Sequence, residues 1–233
     1  MNTKAYKAVF LDFYGTLVHE DDEIIAEITK KMSAACGGKH RSNVIASYWW
    51  QSFRHMFESS CGTSFRTQRA LETASINDTI SHFGCEGLPS GIDASLFTFW
   101  QKSELFPDTK AFLDQISVPF CIVSNIDRAD IEIAMRHHGI AAPALVTSED
   151  AKAYKPKPEI FRLALDALRV SPCDVLHIGD SVTSDIAGAA NAGIDAFWLN
   201  RKGRPIPEYC KPAYTGASLL DVFKQVRFHT ACG

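Results

Sequence analysis

Hydrophobic positions along the chain follow two different patterns. From about residue 105 onward, short continuous apolar runs alternate with segments of helical spacing. Apolar runs of strand length, each followed by polar residues and then a helix, are typical of a parallel sheet that helices cover on both faces. The predicted strands are residues 8–11, 120–123, 175–178, 196–199 and, less clearly, 144–146.

Proline and glycine positions delimit the helices of this region. Pro158 can occupy the first turn of a helix through residue 168, because a first-turn residue needs no N–H donor. The helical patterns at 131–138 and 186–192 end at Gly139 and Gly193, and glycine readily adopts the left-handed conformation that ends a helix. A last amphipathic helix is predicted around residues 219–223.

Residues 18–104 lack this strand pattern. Apolar residues at 24–32, 49–57 and 71–83 instead have helical spacing, and glycine-containing stretches separate them. The sequence therefore predicts a small helical bundle inserted after the first strand of an α/β domain.

Composition excludes several classes of function. The formal net charge is −3, and no run of five like charges occurs, so neither nucleic acid nor an anionic membrane is an expected partner. No segment reaches eighteen apolar residues, so no membrane span is expected. The 7 cysteines are widely spaced without a Cys-x-x-Cys pair. This spacing argues against a disulfide framework or a zinc site and favours a cytoplasmic location.

Polar clusters follow the predicted strands where each strand ends. In an open parallel sheet the carboxyl ends of the strands line one crevice, so clusters far apart in the chain are expected to meet there. A Lys-Pro-Lys-Pro segment lies between two of them. The residues concerned are Asp12, Tyr14, Gly15, Thr16, Ser124, Asn125, Lys155, Asp180 and Asp185.

Three of these side chains are carboxylates, those of Asp12, Asp180 and Asp185. Carboxylates held close together repel one another unless a cation compensates, and a hard divalent ion such as Mg²⁺ prefers oxygen ligands. Lys155 adds a further positive charge. Hydroxyl and amide donors beside helix N-termini suit an oxyanion, and the chain offers Thr16, Ser124 and Asn125.

In this order, the motifs resemble those of the haloacid dehalogenase superfamily over nearly the whole chain. The superfamily's four motifs are Asp-x-Asp-Gly-Thr, a Ser or Thr that ends a strand, a Lys before Pro, and Gly-Asp-x-x-x-x-Asp. They match at residues 12–16, Ser124, Lys155, and Gly179 with Asp180 and Asp185. The resemblance implies a Rossmann-like three-layer α/β/α core of residues 1–17 and 105–233, and a helical cap domain of residues 18–104.

The resemblance also implies roles for individual residues. Asp12 would be the nucleophile, and Lys155 would steady both Asp12 and the substrate anion. Thr16 and Ser124 would grip the transferred group, and Asp185 would complete the catalytic set. The implied substrate-binding residues are Tyr14, Gly15 and Asn125. The implied Mg²⁺ ligands are Asp12, Asp180, Asp185 (directly or through water) and the backbone carbonyl of Tyr14.

One departure from the first motif bears on the reaction. Superfamily phosphatases carry a second aspartate two residues after the nucleophile, and it protonates the leaving group. Tyr14 stands there in this chain. Tyrosine is instead the pattern of the 2-haloacid dehalogenases, which need no metal and whose fourth motif reads Ser-x-Asn-x-x-Asp. Asp180 and Val182 occupy the positions of that Ser and Asn.

The sequence is thus a hybrid, and the extra carboxylate favours a metal. The leading hypothesis is a Mg²⁺-dependent hydrolase acting on a small phosphorylated metabolite, as a monomer or homodimer. The alternatives are a dehalogenase-like C–X hydrolase and a catalytically weakened ligand-binding protein. His19 is a weaker candidate for the missing acid, and His177 is interpreted as a core histidine with a satisfied ring.

Overall fold

The computed structural model of the chain describes residues 4–85, 87–88 and 91–229. The strands are β1 (Ala5–Tyr6), β2 (Ala8–Leu11), β3 (Phe120–Ser124), β4 (Ala144–Thr147), β5 (Val175–Gly179), β6 (Asp195–Leu199), β7 (Tyr214–Gly216) and β8 (Arg227–Phe228). The α-helices are α1 (Asp22–Ala35), α2 (Ser42–Ser59), α3 (Gln68–Phe83), α4 (Ala94–Lys102), α5 (Thr109–Gln115), α6 (Arg128–His138), α7 (Ser148–Ala151), α8 (Pro158–Leu168), α9 (Ala187–Asn191) and α10 (Val222–Gln225). None of the described helices is long and apolar enough to cross a bilayer.

Six of the described strands form one parallel sheet in the order β4-β3-β2-β5-β6-β7. The chain builds one side of the sheet from β2 through β3 to β4, then crosses over and continues through β5, β6 and β7. The direction of winding therefore reverses between β2 and β5, and ligands bind at such a reversal in open α/β sheets. The predicted α/β fold with a parallel sheet is confirmed.

Burial explains why the predicted strands form. Every residue of β2 and of β5 is buried, as expected for central strands that helices cover on both faces. The predicted strands extend by one residue at most in the structure. The pattern missed β7, which has only three residues and is partly exposed, and it also missed the two-residue strands β1 and β8.

The chain divides into two compact units, with boundaries after His19, Ser103, Asn125 and Gly139. The first unit contains the strands, together with α5 and the helices from α7 to α10. The second contains α1 to α4 and α6. Helix α6 thus belongs to the helical unit, whereas the sequence analysis assigned its residues to the α/β core.

Hydrogen bonds account for the grouping of α6 with α3. Both carboxylate oxygens of Asp127, just before α6, accept backbone N–H groups at the start of α3, from Gln68 at 2.7 Å and Arg69 at 2.9 Å. The side chain of Arg69 forms two bonds of 2.6 Å to the buried carboxylate of Asp130. Nothing in the hydrophobic pattern reveals these pairings.

A disulfide joins two cysteines of the helical unit. Cys36 follows α1 and Cys85 follows shortly after α3, so the bond connects the carboxyl-terminal ends of two helices. The spacing of the cysteines argued against a disulfide framework and did not indicate this single pair. The two residues lie 49 positions apart, a spacing that matches no short motif. Cys232 lies outside the described residues.

Shortening Phe10 to alanine tests the core. Phe10 is fully buried within β2. Phe10→Ala should therefore lower the free energy of unfolding by about 3–5 kcal/mol, because the substitution removes buried apolar surface and leaves a cavity. Urea unfolding followed by circular dichroism measures the change. Leu163→Ala, on an α8 residue that is 38% exposed, is the control and should cost less than about 1 kcal/mol. Equal effects would contradict this description of the core.

Candidate active site

Strand β2 delivers Asp12 to the carboxyl edge of the sheet. The Asp12 N–H donates to the carbonyl of Ile178 at 2.9 Å, which continues the pairing of β2 with β5 by one residue. The chain then turns back at Gly15, whose φ of +84° lies in the left-handed region that favours glycine. This turn lets the buried Thr16 hydroxyl donate to Asp12 Oδ2 at 3.0 Å.

The Lys155 ammonium lies buried between two carboxylates. Its Nζ donates to Asp12 Oδ1 at 2.6 Å, to Asp185 Oδ1 at 2.7 Å and to the Val123 carbonyl at 2.9 Å. These three acceptors use all three of its N–H donors. Burial by itself would lower the pKa of Lys155, but the charges of Asp12 and Asp185 outweigh it and raise that pKa above its ordinary value. The lysine therefore stays charged.

Strand β3 ends beside this lysine, whose Nζ binds the Val123 carbonyl. Ser124 is buried at the last position of the strand. The Asn125 side chain accepts the Lys155 N–H at 2.7 Å and donates to the Lys155 carbonyl at 3.3 Å. Asn125 therefore holds the Lys155 backbone in place, and its contact with substrate stays a prediction.

The three predicted carboxylates come together. Asp12, Asp180 and Asp185 each offer an oxygen, and these oxygens lie within 4.8 Å of one another. Glycines permit this approach. A Cβ at Gly15 would lie 2.7 Å from Asp180 Oδ1, and one at Gly179 would lie 2.3 Å from Asp185 Cγ.

The donor set of this cluster suits a divalent cation. Three carboxylates face one buried ammonium, which leaves a net charge of −2 when all are ionised. Burial raises the pKa of Asp12, although the charge of Lys155 opposes this shift. A raised pKa is expected for a carboxylate whose negative charge is only partly balanced by its surroundings. An all-oxygen set with this charge matches the preference of hard ions such as Mg²⁺ or Ca²⁺.

Asp185 is more constrained than a simple metal ligand. Its Oδ1 accepts both Lys155 Nζ and His177 Nε2, the latter at 2.9 Å, and its Oδ2 accepts the Ser181 N–H at 3.0 Å. Burial would raise the pKa of Asp185, but Lys155 and His177 hold it well below the usual range. Three of its roughly four lone-pair positions thus bind protein donors, so much of its role is to hold Lys155.

Arg201, which the sequence analysis did not select, supports the first motif. Its guanidinium forms two bonds to Asp108, at 2.9 and 3.0 Å, and donates to the Thr16 carbonyl at 2.9 Å. Asp108 also accepts the Ser218 hydroxyl and the Leu219 N–H. Arg201 follows the end of β6, so the strand-end criterion that selected Asp12 also applies to it.

Arg204 lies beside Asp180. Its Nη2 donates to the Asp180 carbonyl at 2.6 Å and lies 3.4 Å from Asp180 Oδ2. Its side chain is 43% exposed, so solvent screens its charge from the carboxylates. Trp198 Nε1 donates to the same carbonyl at 2.9 Å, which fixes the backbone of Asp180.

Tyr14 occupies the position of the missing acid. Its ring packs edge-on against Phe13 with centroids 5.1 Å apart, and the ring is partly buried. The exposed His19 stacks on Phe106 with centroids 4.0 Å apart. The roles predicted for the Tyr14 carbonyl and for His19 as an acid stay predictions.

Comparisons with known proteins agree with this architecture. A family model described as haloacid dehalogenase-like hydrolase matches residues 6–193. The N-acylneuraminate-9-phosphatase of Mus musculus is 38% identical over 128 residues, which cover 52% of this chain and 52% of that protein. The chain therefore matches about half of that relative's length.

Two further relatives carry dehalogenase names. The (S)-2-haloacid dehalogenase 4A of Burkholderia cepacia is 23% identical over 211 residues, covering 87% of this chain and 86% of that protein. The crystal structure of the L-2-haloacid dehalogenase from Xanthobacter autotrophicus superposes with a TM-score of 0.73 at 19% identity, over 94% of this chain and 97% of that one. That structural likeness concerns the fold alone.

Neutralising Asp108 should lower the free energy of unfolding by an amount that depends on pH. Burial would raise the pKa of Asp108, but hydrogen bonds from Arg201, Ser218 and Leu219 hold it below its ordinary value. The stabilisation is therefore complete above the unfolded pKa of about 3.9 and is lost as the pH falls through the folded value. Asp108→Asn should cost about 2–3 kcal/mol of unfolding free energy near pH 7 and less towards pH 3.

Urea unfolding from about pH 3 to pH 7 measures this difference. Asp174→Asn, which removes the surface ion pair of Asp174 with Lys7, is the matched control and should cost less than about 1 kcal/mol throughout. A cost for Asp108→Asn that does not change with pH would contradict the assignment.

Proposed function

The chain belongs to the haloacid dehalogenase-like hydrolase family, and we propose that within it the protein is a Mg²⁺-dependent phosphohydrolase with Asp12 as nucleophile. The observation that carries the proposal is the third carboxylate, because Asp180 lies close to Asp12 and Asp185 and gives the site a net charge of −2 when all three are ionised. Such a site attracts a divalent cation, and phosphoryl transfer uses one to neutralise charge on the phosphoryl oxygens.

The chain's own residues supply the covalent step. A carboxylate oxygen of Asp12 bonds to phosphorus while the bond to the leaving oxygen breaks, and water then cleaves the aspartyl phosphate. Lys155 holds Asp12 Oδ1 towards the site and supplies positive charge near the transferred group. Mg²⁺, held by Asp12, Asp180 and the Tyr14 carbonyl with Asp185 nearby, would neutralise charge on the phosphoryl oxygens.

Tyr14 restricts the substrates. A positioned acid is worth roughly 10²–10⁴-fold in rate, and no aspartate stands two residues after the nucleophile. Leaving groups that need no protonation are therefore favoured, above all the carboxylates released from acyl phosphates.

We propose a small phosphorylated metabolite as substrate and the helical unit as the cap that selects it. With a net charge of −3, nucleic acid is not a proposed partner.

The relatives support both kinds of chemistry. The 38% identity to a phosphatase supports phosphoryl transfer, although it extends over half of each chain. The match to a 2-haloacid dehalogenase covers more of the chain at 23% identity. Tyr14 favours this second candidate, a metal-independent C–X hydrolase. Asp180 opposes it, because a serine stands at that position in the dehalogenase motif and a carboxylate there repels a haloacid anion.

A substrate panel tests the proposal. With Mg²⁺, acetyl phosphate should turn over at least about 10²-fold faster than glycerol phosphate, because its leaving group needs no acid. Asp12→Asn should abolish turnover, and EDTA should do the same. Phosphate release measures the rates.

Two results would decide against the phosphohydrolase. One is a panel with no turnover above that of the Asp12→Asn variant. The other is halide release from 2-chloropropionate in EDTA, which would establish the dehalogenase instead. Ligand-dependent thermal shifts without any turnover would favour a binding protein.

Restoring the acid gives a second test. Tyr14→Asp should raise turnover of alkyl phosphates by roughly 10²-fold or more, because the new carboxyl can protonate the leaving oxygen. It keeps the backbone carbonyl that we assign to the metal. Tyr14→Phe is the matched control and should leave all rates unchanged if the hydroxyl takes no part. A folded Tyr14→Asp variant without any gain would argue against phosphoryl transfer.

A further inference from the structure

His177 is a polar side chain in the most apolar part of the core. It is fully buried in the middle of β5, where it pairs in register with Phe10 of β2 and Ala196 of β6. The ring of Phe161 meets it edge-on with centroids 5.1 Å apart. An imidazole in such surroundings costs free energy unless both ring nitrogens find partners.

Among the residues that the structure describes, only one of the two ring nitrogens of His177 has a hydrogen-bond partner. Nε2 lies 2.9 Å from Asp185 Oδ1, whereas Nδ1 is buried with no hydrogen-bond partner among the residues that the structure describes. Because an ionised carboxylate only accepts, Nε2 carries the proton in this contact. The sequence-based expectation of a satisfied ring is therefore wrong. A buried orphan nitrogen is a cost to the fold, which an apolar residue would avoid.

The satisfied nitrogen acts on the candidate catalytic machinery. Asp185 Oδ1, which accepts His177 Nε2, also accepts Lys155 Nζ at 2.7 Å, and Lys155 Nζ in turn donates to Asp12 Oδ1 at 2.6 Å. With the Ser181 N–H on the other oxygen, the carboxylate of Asp185 has donors on both sides and one preferred orientation. Without the His177 donor, Lys155 alone would hold Asp185 Oδ1, so the carboxylate and the ammonium could shift together.

We infer that His177 is a positioning residue, whose Nε2–H fixes Asp185 and thereby sets Lys155 and the nucleophile Asp12. This inference rests on the proposed Asp12 chemistry, but it holds for phosphoryl and C–X substrates alike. Outer partners that orient metal ligands and catalytic carboxylates typically contribute 10–100-fold to activity or metal affinity.

Two substitutions separate positioning from packing. His177→Phe keeps a buried ring and removes the donor, whereas His177→Gln can place an N–H near the position of Nε2. We expect His177→Phe to lower kcat by about 10–100-fold with KM changed less than about threefold, because His177 touches no substrate. We expect His177→Gln to keep kcat within about threefold of wild type. The melting temperature of His177→Phe should be no lower than that of wild type.

Calorimetric titration with Mg²⁺ gives a readout besides activity. The apparent affinity should fall about tenfold or more in His177→Phe and recover in His177→Gln. Nitrogen NMR of the folded wild-type protein should show the proton of His177 on Nε2. Equal kcat and Mg²⁺ affinity in wild type and His177→Phe, or equal losses in folded His177→Phe and His177→Gln, would overturn the inference.

The outcomes keep the two proposals apart. If wild type turns over the panel and His177→Phe matches it, the positioning role fails while the proposed function stands. If no substrate turns over, the proposed function fails, and the Mg²⁺ titrations of both variants still decide the role of His177. If His177→Phe does not fold, His177→Gln decides, and a folded glutamine variant that loses tenfold or more in kcat or Mg²⁺ affinity overturns the inference.

Discussion

The ammonium of Lys155, buried between Asp12 and Asp185, is the interaction on which the rest of the site depends. A buried charge is tolerated only with close partners, and removing one partner of such a group leaves an uncompensated charge that typically costs several kcal/mol. Lys155 satisfies this requirement with two carboxylates and one carbonyl at 2.6–2.9 Å. The same ammonium therefore joins segments more than 140 positions apart in sequence.

The sequence predicted the sheet and the members of the site because both follow from one regularity. Central parallel strands are buried on both faces, so they are continuous apolar runs, and their first polar residues lie at a common edge. Asp12, Ser124 and Asp180 were selected in this way, and the order β3-β2-β5 explains why they lie at the ends of neighbouring strands. The family that these motifs resemble is confirmed by the match over residues 6–193.

What the sequence did not predict depends on partners outside any local pattern. His177 lies inside an apolar run, so nothing in the spacing reveals that one ring nitrogen faces Asp185. Helix α6 has ordinary amphipathic spacing, and its membership in the helical unit depends on the carboxylates of Asp127 and Asp130 meeting α3. Arg201 is different, because it closely follows the end of β6 and its position at a strand end is therefore visible in the sequence.

Charge is the property of the site that Asp180 changes most. Two carboxylates around one lysine carry a single net negative charge. Asp180 adds another charge at the rim, where the exposed Arg204 compensates it weakly. An excess of negative charge of this size repels an anionic substrate, whether a haloacid or a phosphate. A divalent cation would remove that repulsion, so Asp180 favours the proposed metal-assisted chemistry, whereas Tyr14 favours dehalogenation.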